Sequence, residues 1–217
     1  MDALAAALVV VEAIEQMARD QRPLMRRVLP DGPIHFWDHH PKDDARDRAT
    51  RSRWYYHVHA PGDRDADEHG HFHLFLHRTQ FAAAAVPLAL PATGEAAPAH
   101  VAHLAALSID PRGVPRAWFA TNRWVTDEFL YDAETLIAHL PRFDVDHTPE
   151  DAAVNRLITA MVALYRDELA ELLRERDAKL AALAAGGDLR AVTEAGHAVL
   201  ASRPIDLDAK VESLGIA

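Results

Sequence analysis

The chain has 217 residues, is 49% hydrophobic, carries a formal net charge of −10 and contains no cysteine. That is enough for one domain with a buried core, and it excludes disulfide scaffolds, iron–sulfur clusters and thiolate zinc fingers. The negative charge argues against nucleic-acid binding, and no run approaches the ~20 apolar residues of a membrane span.

Residues 2–19 read as an amphipathic helix with Leu4, Leu8, Val11, Ile14 and Met17 or Ala18 on one face. Glu12 and Glu15 follow its apolar start and no basic segment precedes it, so it does not read as a secretory signal and the expected location is cytoplasmic. Pro23, Pro30, Gly32, Pro33 and Pro41 break up an irregular stretch that holds His35, Phe36, Trp37, Asp38, His39 and His40. A charged segment, Lys42 to Arg53, leads to strands expected near 54–60 and 69–78, joined by a polar loop from Ala60 to Glu68. The Ala/Pro-rich run from Ala82 to Ala99 reads as a surface connection. Two more strands are expected near 101–109 and 115–121, with Asp110-Pro111-Arg112-Gly113 as the turn. Helices then follow: one capped by Thr126 and running to Leu140, a long one started by Thr148-Pro149 with a break near Arg166 and an end at Gly186-Gly187, and two short ones near 189–201 and 207–214. The expected fold is α+β: a single domain over 1–217, with an N-terminal helix (1–20), a central antiparallel sheet and site region (34–125) and a C-terminal helical region (126–217).

The two central strands carry the chemistry. Side chains alternate across a strand, so Trp54, Tyr56 and Val58 share a face with Phe72, Leu74 and Leu76 when the strands pair. The opposite face then gathers Tyr55, His57 and His59 with His69, His71, His73, Phe75 and His77. Cross-strand neighbours lie about 5 Å apart at Cβ, so two His-x-His pairs on one hairpin can aim four imidazoles at one point. Neutral imidazole is a common ligand for iron, copper and zinc. The expected ligand set is His57, His59, His71 and His73, holding a divalent transition metal (Fe, Cu or Zn), with Glu68, His69, His35 and His39 as candidates for further ligation or acid/base work. The alternatives for this face are metal-free catalytic or binding histidines, or a polar surface. Asn122 and Arg123, between a strand and a helix, could bind an anion, or be structural, and Tyr55 and Trp124 could help line a substrate pocket.

Three segments, Tyr55-Tyr56-His57-Val58-His59, Glu68-His69-Gly70-His71-Phe72-His73-Leu74-Phe75 and Thr121-Asn122-Arg123-Trp124-Val125-Thr126, together resemble a family of uncharacterised bacterial proteins, a likeness that implies no particular reaction. His69-Gly70-His71-Phe72-His73-Leu74-Phe75 resembles the motif of the histidine-triad hydrolases and nucleotidyl transferases, which implies His71 as a nucleophile on phosphorus with His69 and His73 assisting. Gly70 departs from that motif, which has an apolar residue there, and the pair His57 and His59 has no place in it. Cupins share only the logic of His-x-His ligation. The sequence therefore points to a metal-dependent enzyme acting on a small polar or anionic molecule, by oxygen chemistry or hydrolysis. Histidine-triad-like phosphoryl or nucleotidyl transfer and a non-enzymatic metal-binding or sensor protein are the alternatives.

Overall fold

A computed structural model describes every residue except Pro61, Arg64, Asp65, Gly186 and Ala217. Helices α1 (Ala3–Arg19) and α2 (Leu24–Val28) lead into a six-stranded antiparallel sheet whose spatial order follows the sequence. Its strands are β1 (His40–Arg46), β2 (Arg53–His57), β3 (Gly70–His77), β4 (Val101–Ile109), β5 (Pro115–Thr121) and β6 (Val199–Pro204). Between β5 and β6 come α3 (Arg123–Thr126), α4 (Ala133–His139), α5 (Ala152–Leu164), α6 (Arg166–Leu183) and α7 (Leu189–Glu194), and α8 (Leu207–Glu212) ends the fold. This is the α+β arrangement expected, and no helix among the described residues is long and apolar enough to cross a membrane.

The sheet has two unlike faces. Trp54, Tyr56, Phe72, Leu74, Leu76 and Trp118 are buried together with apolar residues of α1, α5 and α6. Each such large side chain contributes roughly 1.5–3 kcal/mol by leaving water. The helical spacing of Val154, Leu157, Ile158 and Met161 puts all four in this core, and the chain breaks at Tyr165 between α5 and α6. One polar tie runs through the core. The Trp54 indole N–H donates to Asn155 Oδ1 (3.0 Å), which also accepts from the Thr148 hydroxyl (2.9 Å).

Several local expectations are corrected. Helix α1 buries Ala6, Ala7, Val10, Ala13 and Met17, leaving Leu4, Leu8 and Ile14 about half exposed. Small side chains let α1 lie close against α5, so contact distance overrides the bulkier apolar stripe. The charged segment after Pro41 holds edge strand β1, where one-sided pairing leaves room for polar side chains. The turn at Asp127 (φ 48°) separates α3 from α4, so the helix start is Asn122 for α3 and Asp132 for α4, not Thr126. Asp151, not Thr148, caps α5, accepting from the N–H groups of Ala153 and Val154. The helix expected over 189–201 gives way to α7 and then β6, because the open edge of β5 offers a full ladder of hydrogen bonds. The expected helix stop at Gly186-Gly187 and the polar loop after Ala60 fall partly on residues outside those described.

Candidate metal centre

The face of the sheet opposite the core carries the histidines. Register places His57 directly across from His71 and Tyr55 across from His73. Strand β2 ends at His57, so His59 lies just beyond the ladder. Their Nε2 atoms still meet. His57 and His71 are 2.8 Å apart, His71 and His73 3.0 Å, and His59 and His57 3.1 Å. His57, His71 and His73 are buried.

Gly70 allows the two strands to approach. A Cβ there would lie 2.3 Å from the His57 carbonyl oxygen and 2.7 Å from the Tyr56 hydroxyl oxygen. On the far side of β3, Ser108 and Ala106 of β4 stand across from His71 and His73 and leave the rings space.

The outer ring nitrogens are held as well. Glu68 Oε1 accepts from His71 Nδ1 at 2.9 Å, and the Ser108 hydroxyl donates to Glu68 Oε2 at 2.6 Å. A carboxylate only accepts, so His71 carries its proton on Nδ1 and turns a lone pair inward. His73 Nδ1 lies 2.9 Å from His103 Nε2, and His103 Nδ1 lies 3.2 Å from Thr121 Oγ1. With His73 donating to His103 and His103 donating to Thr121, the Nε2 of His73 also presents a lone pair. Metal-binding histidines characteristically show this outer support.

Burial governs the electrostatics. Loss of solvation, reinforced by neighbouring imidazoles, holds His57 down to about 2 and His73 well below its ordinary range. Burial is also the main cause for His103, held down to about 3. The lone pairs that His71 and His73 turn inward, 3.0 Å apart at Nε2, repel one another unless a proton or a cation lies between them. The group His57, His71 and His73 could hold a metal ion, as could His59, Glu68 and His71.

Above the rings lies a cavity of about 380 Å³. His39, Tyr55, Trp124 and Asp63 line it. His39 stacks on Tyr55 with ring centroids 3.6 Å apart, and its Nδ1 is 3.0 Å from Asp44, which also pairs with Arg53 at 3.2 Å.

The other expected residues lie elsewhere. His69 precedes β3, escapes its alternation, and meets the Tyr56 hydroxyl at 2.8 Å. His35 is exposed in the segment before β1. Arg123 is buried and paired with Asp127 at 2.7 Å, while Asn122 caps α3 and donates to the Val192 carbonyl. Neither lines the cavity.

His103 was not legible as a member of this cluster. A bulge between Leu74 and Phe75 changes the register of β4 and puts His103 opposite Phe75, on the pocket face. Plain alternation back from Ser108 and Ala106 would have sent it to the core. Phe119, edge-on to His71 at 4.8 Å, was also missed, although its position two residues before Thr121 on β5 puts the two on one face.

The sheet thus packs its helical core against one face and carries on the other a buried imidazole cluster that opens into a cavity. Residues 4–205 match the family described as a domain of unknown function, DUF6969, and the chain belongs to that family. No curated protein and no solved structure matches it.

Proposed function

We propose that the protein is a metal-dependent enzyme whose ion is bound by His57, His71 and His73, with His59 as a fourth ligand. The supporting observation is the meeting of buried Nε2 atoms at 2.8 and 3.0 Å. Nitrogens about 2.0–2.1 Å from one ion lie about 2.9 Å apart at a right angle and about 3.4 Å apart in a tetrahedron. Neutral imidazoles with few carboxylates suit iron, copper or zinc better than magnesium or calcium.

When bound, the ion would supply Lewis acidity and an open position for an oxygen ligand. The chain's own residues do the rest. Glu68 holds the His71 proton on Nδ1 and so keeps Nε2 free, and His103 does the same for His73. Tyr55 and His39, stacked ring on ring, wall one side of the cavity. A sensor would call for a site closed by protein, whereas here a cavity stands over the imidazoles. In the phosphoryl-transfer reading His69 would join His71 and His73, yet it bonds Tyr56 instead.

The test is metal content of protein purified without a polyhistidine tag, with His57→Ala, His71→Ala and His77→Ala compared. We expect close to one transition-metal ion per chain in wild type and His77→Ala, and at least a tenfold loss of affinity in the other two with the fold retained. Full loading of His57→Ala and His71→Ala, or no uptake of added iron, copper, zinc or manganese by wild type, would overturn the proposal.

A further inference from the structure

The chemistry of the cavity walls departs from that of a site built for anions. Trp37 and Trp124 stand at its rim, 54% and 40% exposed, and Tyr55 and Phe119 lie within it. Trp37 comes from the segment before β1 and Trp124 from the helix after β5, so they approach from opposite ends of the sheet order. Trp37 is fixed in place: its ring centroid lies 4.1 Å from that of His59, its backbone N–H donates to the Val58 carbonyl at 3.0 Å, and its φ is +70°. A bulky residue in left-handed backbone is strained, and its surroundings must hold it there. The indole N–H of Trp124 donates to the Gly196 carbonyl at 2.9 Å, which fixes that ring too. Two anchored indoles left partly in water at a cavity mouth are apolar surface waiting for a partner.

Charge points the same way. Among the described residues no Lys or Arg lines the cavity, and the Asp63 carboxylate does. A carboxylate at the mouth repels an anion entering past it. The volume, about 380 Å³, lies at the small end of ligand pockets, which run from about 300 to 1,000 Å³.

We infer that the ligand of this site is a neutral, planar aromatic molecule of one or two rings, presenting a hydroxyl or carbonyl oxygen toward the imidazole cluster and gripped between Trp37 and Trp124. The inference deepens the metal-enzyme reading and rests on it for the role of that oxygen. The aromatic grip itself needs only the walls. Ring edges and faces meet favourably in offset and T-shaped pairs, and the cavity offers both.

Titration calorimetry on metal-loaded and metal-free protein, with 2-naphthol as the neutral aromatic and inorganic phosphate and citrate as the anions, separates the two ideas. The expected result is saturable binding of 2-naphthol to the loaded protein, weaker but measurable binding to the metal-free protein, and no binding of either anion to the metal-free protein at equal concentration, where the ion's own charge takes no part. Trp37→Ala and Trp124→Ala should each weaken 2-naphthol binding at least tenfold, with metal content unchanged in Trp124→Ala. Should the chain take up no metal yet bind 2-naphthol in this tryptophan-dependent way, the metal reading fails and the aromatic pocket stands. Tighter binding of phosphate or citrate than of 2-naphthol by the metal-free protein, or unaltered affinity in both tryptophan variants, overturns the inference while leaving the metal reading intact.

Discussion

Gly70 decides how closely the imidazoles approach one another. Its neighbours leave no room for a methyl group, since the nearest atom is the His57 backbone carbonyl oxygen, which cannot swing aside as a side chain tip would. Gly70→Ala must therefore push β2 and β3 apart at the rung that carries His57 and His71. Overpacking of this kind costs about 1–3 kcal/mol. The expected outcome is a loss of that size in urea unfolding together with at least a tenfold loss of metal affinity, measured by competition with a chelator. Stability lost with metal affinity unchanged would show that the site adapts to a wider strand separation. The same glycine departs from the histidine-triad motif, and the structure gives the reason. Close strand approach fills the space that an apolar side chain would need.

At the level of elements, Asn155 ties α5 to the site strand. It is fully buried and serves both the Trp54 indole and the Thr148 hydroxyl. Asn155→Ala leaves two buried donors without an acceptor, each costing about 1–3 kcal/mol. We expect a stability loss of about 2–4 kcal/mol in urea unfolding, and a loss below about 1 kcal/mol would mean that water takes the place of the amide. Legibility from sequence follows the same division between local and distant causes. Strands β2 to β5 were readable because alternation is written into consecutive residues, and the meeting of His57, His71 and His73 follows from that alternation. His103 was not, because a bulge is set by the partner strand and leaves little mark in the residues around it. Strand β6 was hidden for a related reason. Val199–Pro204 pairs with β5 from across a long helical insertion, and nothing local distinguishes it from a helix end. The anion site expected at Asn122 and Arg123 depended on where two side chains point, and Asp127 and Val192 settle that from outside the motif.

For the molecule as a whole, the buried titratable groups set the dependence of stability on pH. His57 and His103 are held at about 2 and about 3 in the folded chain, and His73 well below its ordinary value, against about 6.5 when unfolded. Between those values the unfolded chain binds more protons, so the stability of the metal-free protein falls as pH drops below about 6.5. Glu128 acts in the opposite sense. Burial lifts its carboxyl to about 8 despite a hydrogen bond from the Thr126 hydroxyl, so between about 4.5 and 8 the folded chain holds the extra proton and stability falls as pH rises. Each group contributes roughly 1.4 kcal/mol per pH unit within its window. With three histidines against one glutamate, stability should rise from pH 5 to 6.5 and decline from there to pH 8. Glu128→Gln should flatten the decline and leave the acid limb in place. Chemical denaturation of chelator-treated protein across this range checks both limbs, and a profile that falls steadily from pH 5 to 8 would contradict the assignment for the histidines.

The two faces of the sheet divide stability and recognition between separate sets of residues. The core lies on one side with α1, α5 and α6, while the cavity rim on the other draws Trp37 and Trp124 from segments outside the strands. Rim positions can therefore be exchanged without reopening the core, as in a tool whose bit is replaceable and whose handle is not. An engineer could therefore randomise those rim positions with most of the library still folding.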